Sequence, residues 1–119
     1  MTLAWVGLAV AGGVGAVLRL LVDGAASRWG SGLPVGTFVV NVSGAFGLGL
    51  LDGLALPAHA ALVVGTGLVG AYTTFSTWMF ETQRLAEERQ LLPALGNLVL
   101  SVAVGIGAAV LGLWIGGGL

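Results

Sequence analysis

Gly70-Ala71-Tyr72-Thr73-Thr74-Phe75-Ser76-Thr77-Trp78-Met79-Phe80-Glu81 lies within a hydrophobic span, yet it carries a dense run of hydroxyls and aromatic rings and ends in a carboxylate. A bilayer core holds no water, so a run this polar must face protein or a water-lined path rather than lipid. Gly70 and the β-branched pair Thr73-Thr74 also weaken helix propensity. The stretch therefore predicts a helix interrupted near Gly70–Thr74, with backbone groups exposed at the break and ring edges just beyond it. The remaining segments read as the housing of that site.

Composition places the housing in a membrane. The 119 residues are 57% hydrophobic and 8% charged, with a mean hydropathy of +1.05, whereas soluble domains carry about 25% charged residues. The absence of cysteine excludes disulfides and thiolate metal sites. One histidine and five scattered acids form no metal cluster, and a net charge of −1 provides no basic patch for nucleic acid. No nucleophile–base pair is evident, so an enzyme is not expected and no catalytic residue is assigned. An isolated signal peptide is not expected either, because no positive residue precedes the first apolar run and three more runs follow.

Four spans of about 20 apolar residues fit the chain. They run from about Leu3 to Val22, Leu33 to Leu56, Ala60 to Phe80 and Leu91 to Ile115. The reading is one four-helix transmembrane domain over residues 1–119, with no repeat and no linker. Thr82–Gln90 reads as a loop or short surface helix, with Arg84 and Glu88 four apart. Arg28, Arg84 and Arg89 fall in the first and third connections, with Arg19 near the first, so the positive-inside rule favours both termini outside. Small residues recur four apart at Gly12/Ala16, Ala45/Gly49/Gly53, Gly67/Ala71, Gly105/Ala109 and Gly112/Gly116, which suits close helix packing in lipid. Four short helices barely enclose a site alone, so an oligomer, most simply a dimer, is expected.

Several polar residues sit inside these spans. Arg19 is an interfacial anchor or a charge lining an aqueous vestibule, since an arginine at a helix centre costs about 2.5–3.5 kcal/mol but can snorkel near an end. Thr37 and Asn41 share a face, and a membrane asparagine demands a partner for its amide. Asp52 and Trp114 read as interfacial residues. Gly65-Thr66-Gly67-Leu68-Val69-Gly70 matches GxGxxG, but no βαβ pattern accompanies it and the dinucleotide reading is rejected. Phe75 and Trp78 are three apart, and Thr74, Thr77 and Glu81 follow a neighbouring stripe; the hydroxyls favour a site over plain packing. In the fourth span Asn97, Ser101 and Gly105 form a thin polar stripe.

This inventory suits an anion. Thr37, Asn41, Thr74, Ser76, Thr77, Asn97 and Ser101 all donate hydrogen bonds without carrying charge, and aromatic rings have positive edges. Together they replace the water shell of a small anion while keeping its binding shallow enough for passage. Carbonyls freed at a helix break are cation ligands instead.

The Gly70–Trp78 segment, together with Gly36-Thr37-Phe38-Val39-Val40-Asn41-Val42-Ser43-Gly44 and Gly12-Gly13-Val14-Gly15-Ala16-Val17-Leu18-Arg19, resembles the three motifs of the Fluc/CrcB family of fluoride channels. Asn97 and Ser101 fit its fourth-helix pattern more loosely. The resemblance implies an all-α integral membrane protein: four transmembrane helices with a broken third helix, assembling as an antiparallel, dual-topology dimer in the lipid of the cell inner (plasma) membrane. It implies two passive fluoride pores and a central structural sodium ion (Na+) held by the carbonyls of Gly70 and Thr73 from both subunits. Phe75 and Trp78 would be the ring-edge pair, with Asn41 near them and Ser101, Thr37, Thr74 and Thr77 supplying hydroxyls. Glu81 would close the polar track, and Arg19 would sit at the vestibule. Two positions depart from the pattern: Trp78 stands where the family usually has phenylalanine, and Leu20 where an aromatic is frequent. The one-sided arginines also suggest pairing with an oppositely oriented relative, a heterodimer instead of a homodimer. A small multidrug-type proton-coupled exporter is the main rival, but its first-span carboxylate has no counterpart before Asp23. A non-transporting membrane subunit would explain the glycines and not the donors.

Overall fold

The computed structural model describes residues 2–30 and 32–119, and their secondary structure is helical throughout. Helix α1 spans Thr2–Ala26 and runs into a 3-10 turn, Ser27–Trp29. Helix α2, Val35–Leu54, starts after Pro34 and stops where Ala55 turns left-handed at φ 52°. Helix α3 covers residues 58–72, α4 is Ser76–Glu87 and α5 is Leu91–Gly117. Pro93 is accommodated in the first turn of α5, where backbone N–H groups have no intrahelical acceptor in any case.

Four stretches are long and apolar enough to cross a bilayer: Thr2–Trp29, Val35–Leu54, Ala58–Glu87 and Leu91–Gly117. The 27 residues of α5 make a rod of about 40 Å at the helical rise, longer than the hydrocarbon core of about 30 Å. The chain is a multi-pass membrane protein. Its burial pattern is inverted relative to a soluble domain, with large apolar side chains such as Leu3, Val10, Leu20, Leu92 and Ile106 on the outside. The few buried side chains include polar ones, Thr37 and Asn97, beside Val40 and Leu85.

Helix α2 is the central strut, packed on α5 along most of its length. Glycine makes that approach possible. A Cβ on Gly49 would collide with the Ala109 carbonyl, and one on Gly112 or Gly116 with the carbonyls of Phe46 and Leu50. On the other side α1 packs along α3, with Gly15 against the Leu68 carbonyl. The chain changes partners between α3 and α4: α3 lies on α1, whereas α4 lies on α5.

That change is prepared locally. Ala61–Val69 is wound as a π-helix, whose wider turns are uncommon and concentrate at functional sites. Gly70, expected at the start of a break, is helical at φ −59° and ψ −40°. Helical geometry ends after Tyr72, Thr73 is extended at φ −82° and ψ 162°, and helix resumes at Ser76. Downstream, Thr82–Glu87 is helical, and the turn into α5 falls at residues 88–90 with Arg89 at φ 59°. Arg84 and Glu88 pair at 3.6 Å on its surface, and Arg84 also donates to the Gly32 carbonyl.

Candidate functional site

The interruption at residues 73–75 strips donors from the carbonyls of the preceding turn, and for Gly70 and Thr73 the loss has a visible cause. In an unbroken helix the Thr74 N–H would serve the Gly70 carbonyl and the Thr77 N–H the Thr73 carbonyl. Here the Thr74 N–H donates to Asn41 Oδ1 at 2.8 Å, and the Thr77 N–H donates to Thr74 Oγ1 at 3.2 Å. Asn41 completes the substitution by donating from Nδ2 to the Thr74 carbonyl at 2.8 Å. One side-chain amide on α2 thus holds both backbone groups of residue 74, as a neighbouring strand would. The Thr73 carbonyl receives the Arg19 guanidinium at 3.4 Å.

Hydroxyls carry the polar line onward. Thr74 Oγ1 donates to Thr77 Oγ1 at 3.2 Å, and the Thr74 and Ser76 hydroxyls lie 3.5 Å apart. Thr37, buried on α2, donates to the Glu81 carboxylate and ties the start of α2 to α4. Tyr72 and Ser43 share a hydroxyl–hydroxyl bond of 2.8 Å on the other side of the break.

Two cavities meet at Thr74. A groove of about 360 Å³ is lined by Asn41, Gly70, Thr73, Thr74, Phe75 and Trp78, together with the apolar wall of Ala45, Leu48 and Val69. A smaller, more enclosed space of about 110 Å³ is bounded by Arg19, Asp23, Thr37, Val40, Thr74 and Thr77. Phe75 and Trp78 form an edge-to-face pair at the groove, with centroids 5.7 Å apart and planes at 80°. Phe75 is 69% exposed in the single chain. The rings present polarised edges, and the small cavity presents a guanidinium, a carboxylate and hydroxyls.

The sequence-predicted residues Arg19, Thr37, Asn41, Gly70, Thr73, Thr74, Phe75, Thr77, Trp78 and Glu81 are therefore gathered around one break. Ser101 stands one turn beyond Asn97 on α5, its hydroxyl oxygen buried without a hydrogen-bond partner among the described residues. Three participants had drawn no role from the sequence. Asp23 lines the small cavity and accepts a bond from Ser27 at 3.2 Å. Tyr72 anchors the break to α2. Thr82, four residues after Trp78, accepts from the Asn97 amide at 2.8 Å and donates to the Trp78 carbonyl at 2.9 Å. Its spacing from Trp78 was the available signal, hidden by the polar run that follows it.

Residues 6–113 match the family described as CrcB-like protein, Camphor Resistance (CrcB). The chain belongs to the CrcB/Fluc family. It is 63% identical over 109 residues to a protein of Mycolicibacterium paratuberculosis named "Fluoride-specific ion channel FluC 2", covering 91% of this chain and 89% of that one. A Mycobacterium tuberculosis protein of the same name is 59% identical over 112 residues, 93% and 89% of the two chains. A "Fluoride-specific ion channel FluC 1" from Leifsonia xyli is 48% identical over 115 residues, 92% and 84%. These CrcB/Fluc relatives are named as ion channels, and the family is not one of enzymes.

Proposed function

We propose that this protein is a fluoride-selective channel that lets fluoride leave the cell passively through its plasma membrane. The observation that carries the reading is the break at residues 73–75, where a line of hydroxyls and an edge-to-face aromatic pair meet in one groove. The names of the FluC relatives support fluoride as the ion. Arg19 and the small cavity collect the anion, the Thr77 hydroxyl replaces part of its water shell, Thr74 and Thr37 orient the line by donating to Thr77 and Glu81, and the edges of Phe75 and Trp78 guide the ion. Ser101 adds a hydroxyl from α5, and Glu81 marks the far end of the track. None of these groups except Arg19 is cationic, so binding stays shallow.

The third span crosses the membrane as two half-helices, α3 and α4, in this reading. A sodium ion fits the carbonyls of Gly70 and Thr73, because both have lost their helical donors and both residues line an open groove, and the Thr73 oxygen, which accepts Arg19 at 3.4 Å, keeps a second lone pair. Hard carbonyl oxygens suit that ion, and an antiparallel partner would add the same pair from its own chain. An ion held there would supply structural positive charge at the centre of a dimer with two pores. The partner is a second copy or an oppositely oriented relative; the names FluC 1 and FluC 2 among the relatives are compatible with such pairs.

Fluoride efflux from liposomes, read with a fluoride electrode beside a chloride electrode, tests the reading. Fast fluoride release that requires a potassium shunt, without chloride release, is the expected result. No fluoride release from folded protein, alone or with an opposite-topology relative, would overturn it.

A further inference from the structure

Trp78 brings something to the groove that a phenylalanine would not, an indole N–H, and that donor does not face the groove unpaired. Nε1 donates to the Asn97 backbone carbonyl on α5 at 3.0 Å. The Asn97 side chain reaches back: Nδ2 donates to Thr82 Oγ1 at 2.8 Å, and the Thr82 hydroxyl donates to the Trp78 carbonyl at 2.9 Å. Trp78 is thus gripped at both ring and backbone through one residue of α5, and Asn97 is 9% exposed. The same grip sets the indole plane at 80° to the Phe75 ring.

We propose that the Asn97 carbonyl withholds the Trp78 N–H from the ion path, and that Thr82 and the Asn97 amide are positioning residues for this indole. The inference rests on the fluoride path described above. A hydrogen bond from a neutral donor to an anion is about twice as strong as a neutral one. An unpaired indole N–H beside the path would therefore hold fluoride, whereas passage needs weak, repeated contacts. With the N–H engaged on α5, the ion meets only the carbon edge of the ring. Trp78 then behaves toward the ion as an enlarged phenylalanine.

Indole ¹⁵N–H spectra of the purified dimer in nanodiscs test this directly. The chain has four tryptophans, Trp5, Trp29, Trp78 and Trp114, and the Trp78 signal is the one lost in Trp78→Phe. In the wild type this signal is expected to exchange slowly with water and to stay fixed as fluoride replaces chloride at constant ionic strength. Thr82→Val removes the bonds from Asn97 Nδ2 and to the Trp78 carbonyl that hold the indole against α5, and exchange of the Trp78 N–H is expected to quicken about tenfold. The signal should also become fluoride-dependent, with flux saturating at lower fluoride concentration. Thr82→Ser keeps the hydroxyl and should restore the wild-type behaviour. A wild-type Trp78 N–H that shifts with fluoride overturns the inference, as does a folded Thr82→Val with unchanged exchange and fluoride response. If Thr82→Val does not fold, the wild-type titration decides alone. Normal flux with a fluoride-responsive N–H overturns this inference only, whereas absent wild-type flux overturns the path reading and this inference with it.

Discussion

Asn41 is where a single side chain matters most. Its amide supplies an acceptor to the Thr74 N–H and a donor to the Thr74 carbonyl, both at 2.8 Å. An aspartate keeps the acceptor and loses the donor, and it faces a carboxylate oxygen toward that carbonyl. An unpaired buried polar group costs about 1–3 kcal/mol, and more when charged. Asn41→Asp is accordingly expected to lower fluoride flux by more than about tenfold, one decade for each 1.4 kcal/mol of barrier; wild-type flux would sink the clamp. Phe75 differs because it is 69% exposed, with its ring set edge-to-face against Trp78. Phe75→Ile should leave the size-exclusion profile of the folded protein unchanged and sharply reduce efflux, since an aliphatic side chain has no polarised edge. Full flux would remove the ring-edge role.

At the scale of elements, the close α2–α5 seam joins the helix that carries Asn41 to the helix on which α4 rests. Gly49 faces the Ala109 backbone, which cannot yield as a flexible side chain would. Gly49→Ala should push the two helices apart at a cost of about 1–3 kcal/mol, typical of overpacking. The check is a lower thermal unfolding midpoint in detergent. A mere gain in helix propensity would instead raise the midpoint. The small-residue pairs of the sequence divide on this criterion. Gly49, Gly53, Gly112 and Gly116 serve the seam inside one chain, whereas an added Cβ on Gly105 or Gly107 meets nothing within 4 Å. Those latter positions are open to a partner or to lipid.

The whole molecule, 49 × 29 × 20 Å, leaves Gly70 and the groove on its outer face and keeps few side chains buried. A chain with so little interior would gain from burying that face against the second copy proposed above. The lack of cysteine makes orientation easy to measure. His59 is exposed in the first turn of α3, and His59→Cys gives one labelling site per chain. In a dual-topology homodimer a membrane-impermeant maleimide should label about half the molecules from outside intact cells, as a twofold antiparallel pair requires. Complete labelling, or none, would show a single orientation and point to an oppositely oriented relative as partner.

The sequence by itself determined the membrane class, the four apolar stretches and the polar run at residues 70–81, because hydropathy and hydroxyl density are local quantities. It also carried the family, through three motifs in order. It misplaced the onset of the break at Gly70, since helix propensity is weak beside one tertiary clamp: Asn41, thirty-three residues earlier in the chain, decides that Thr74 leaves the helix. The same limit hid Thr82 and Asp23, whose neighbours lie on other helices. Which donors remain open to an ion and which are engaged by the protein itself was decided only by the tertiary structure. A hydroxyl, amide or indole has the same donor in any sequence, and the position of its acceptor is set by how the helices pack.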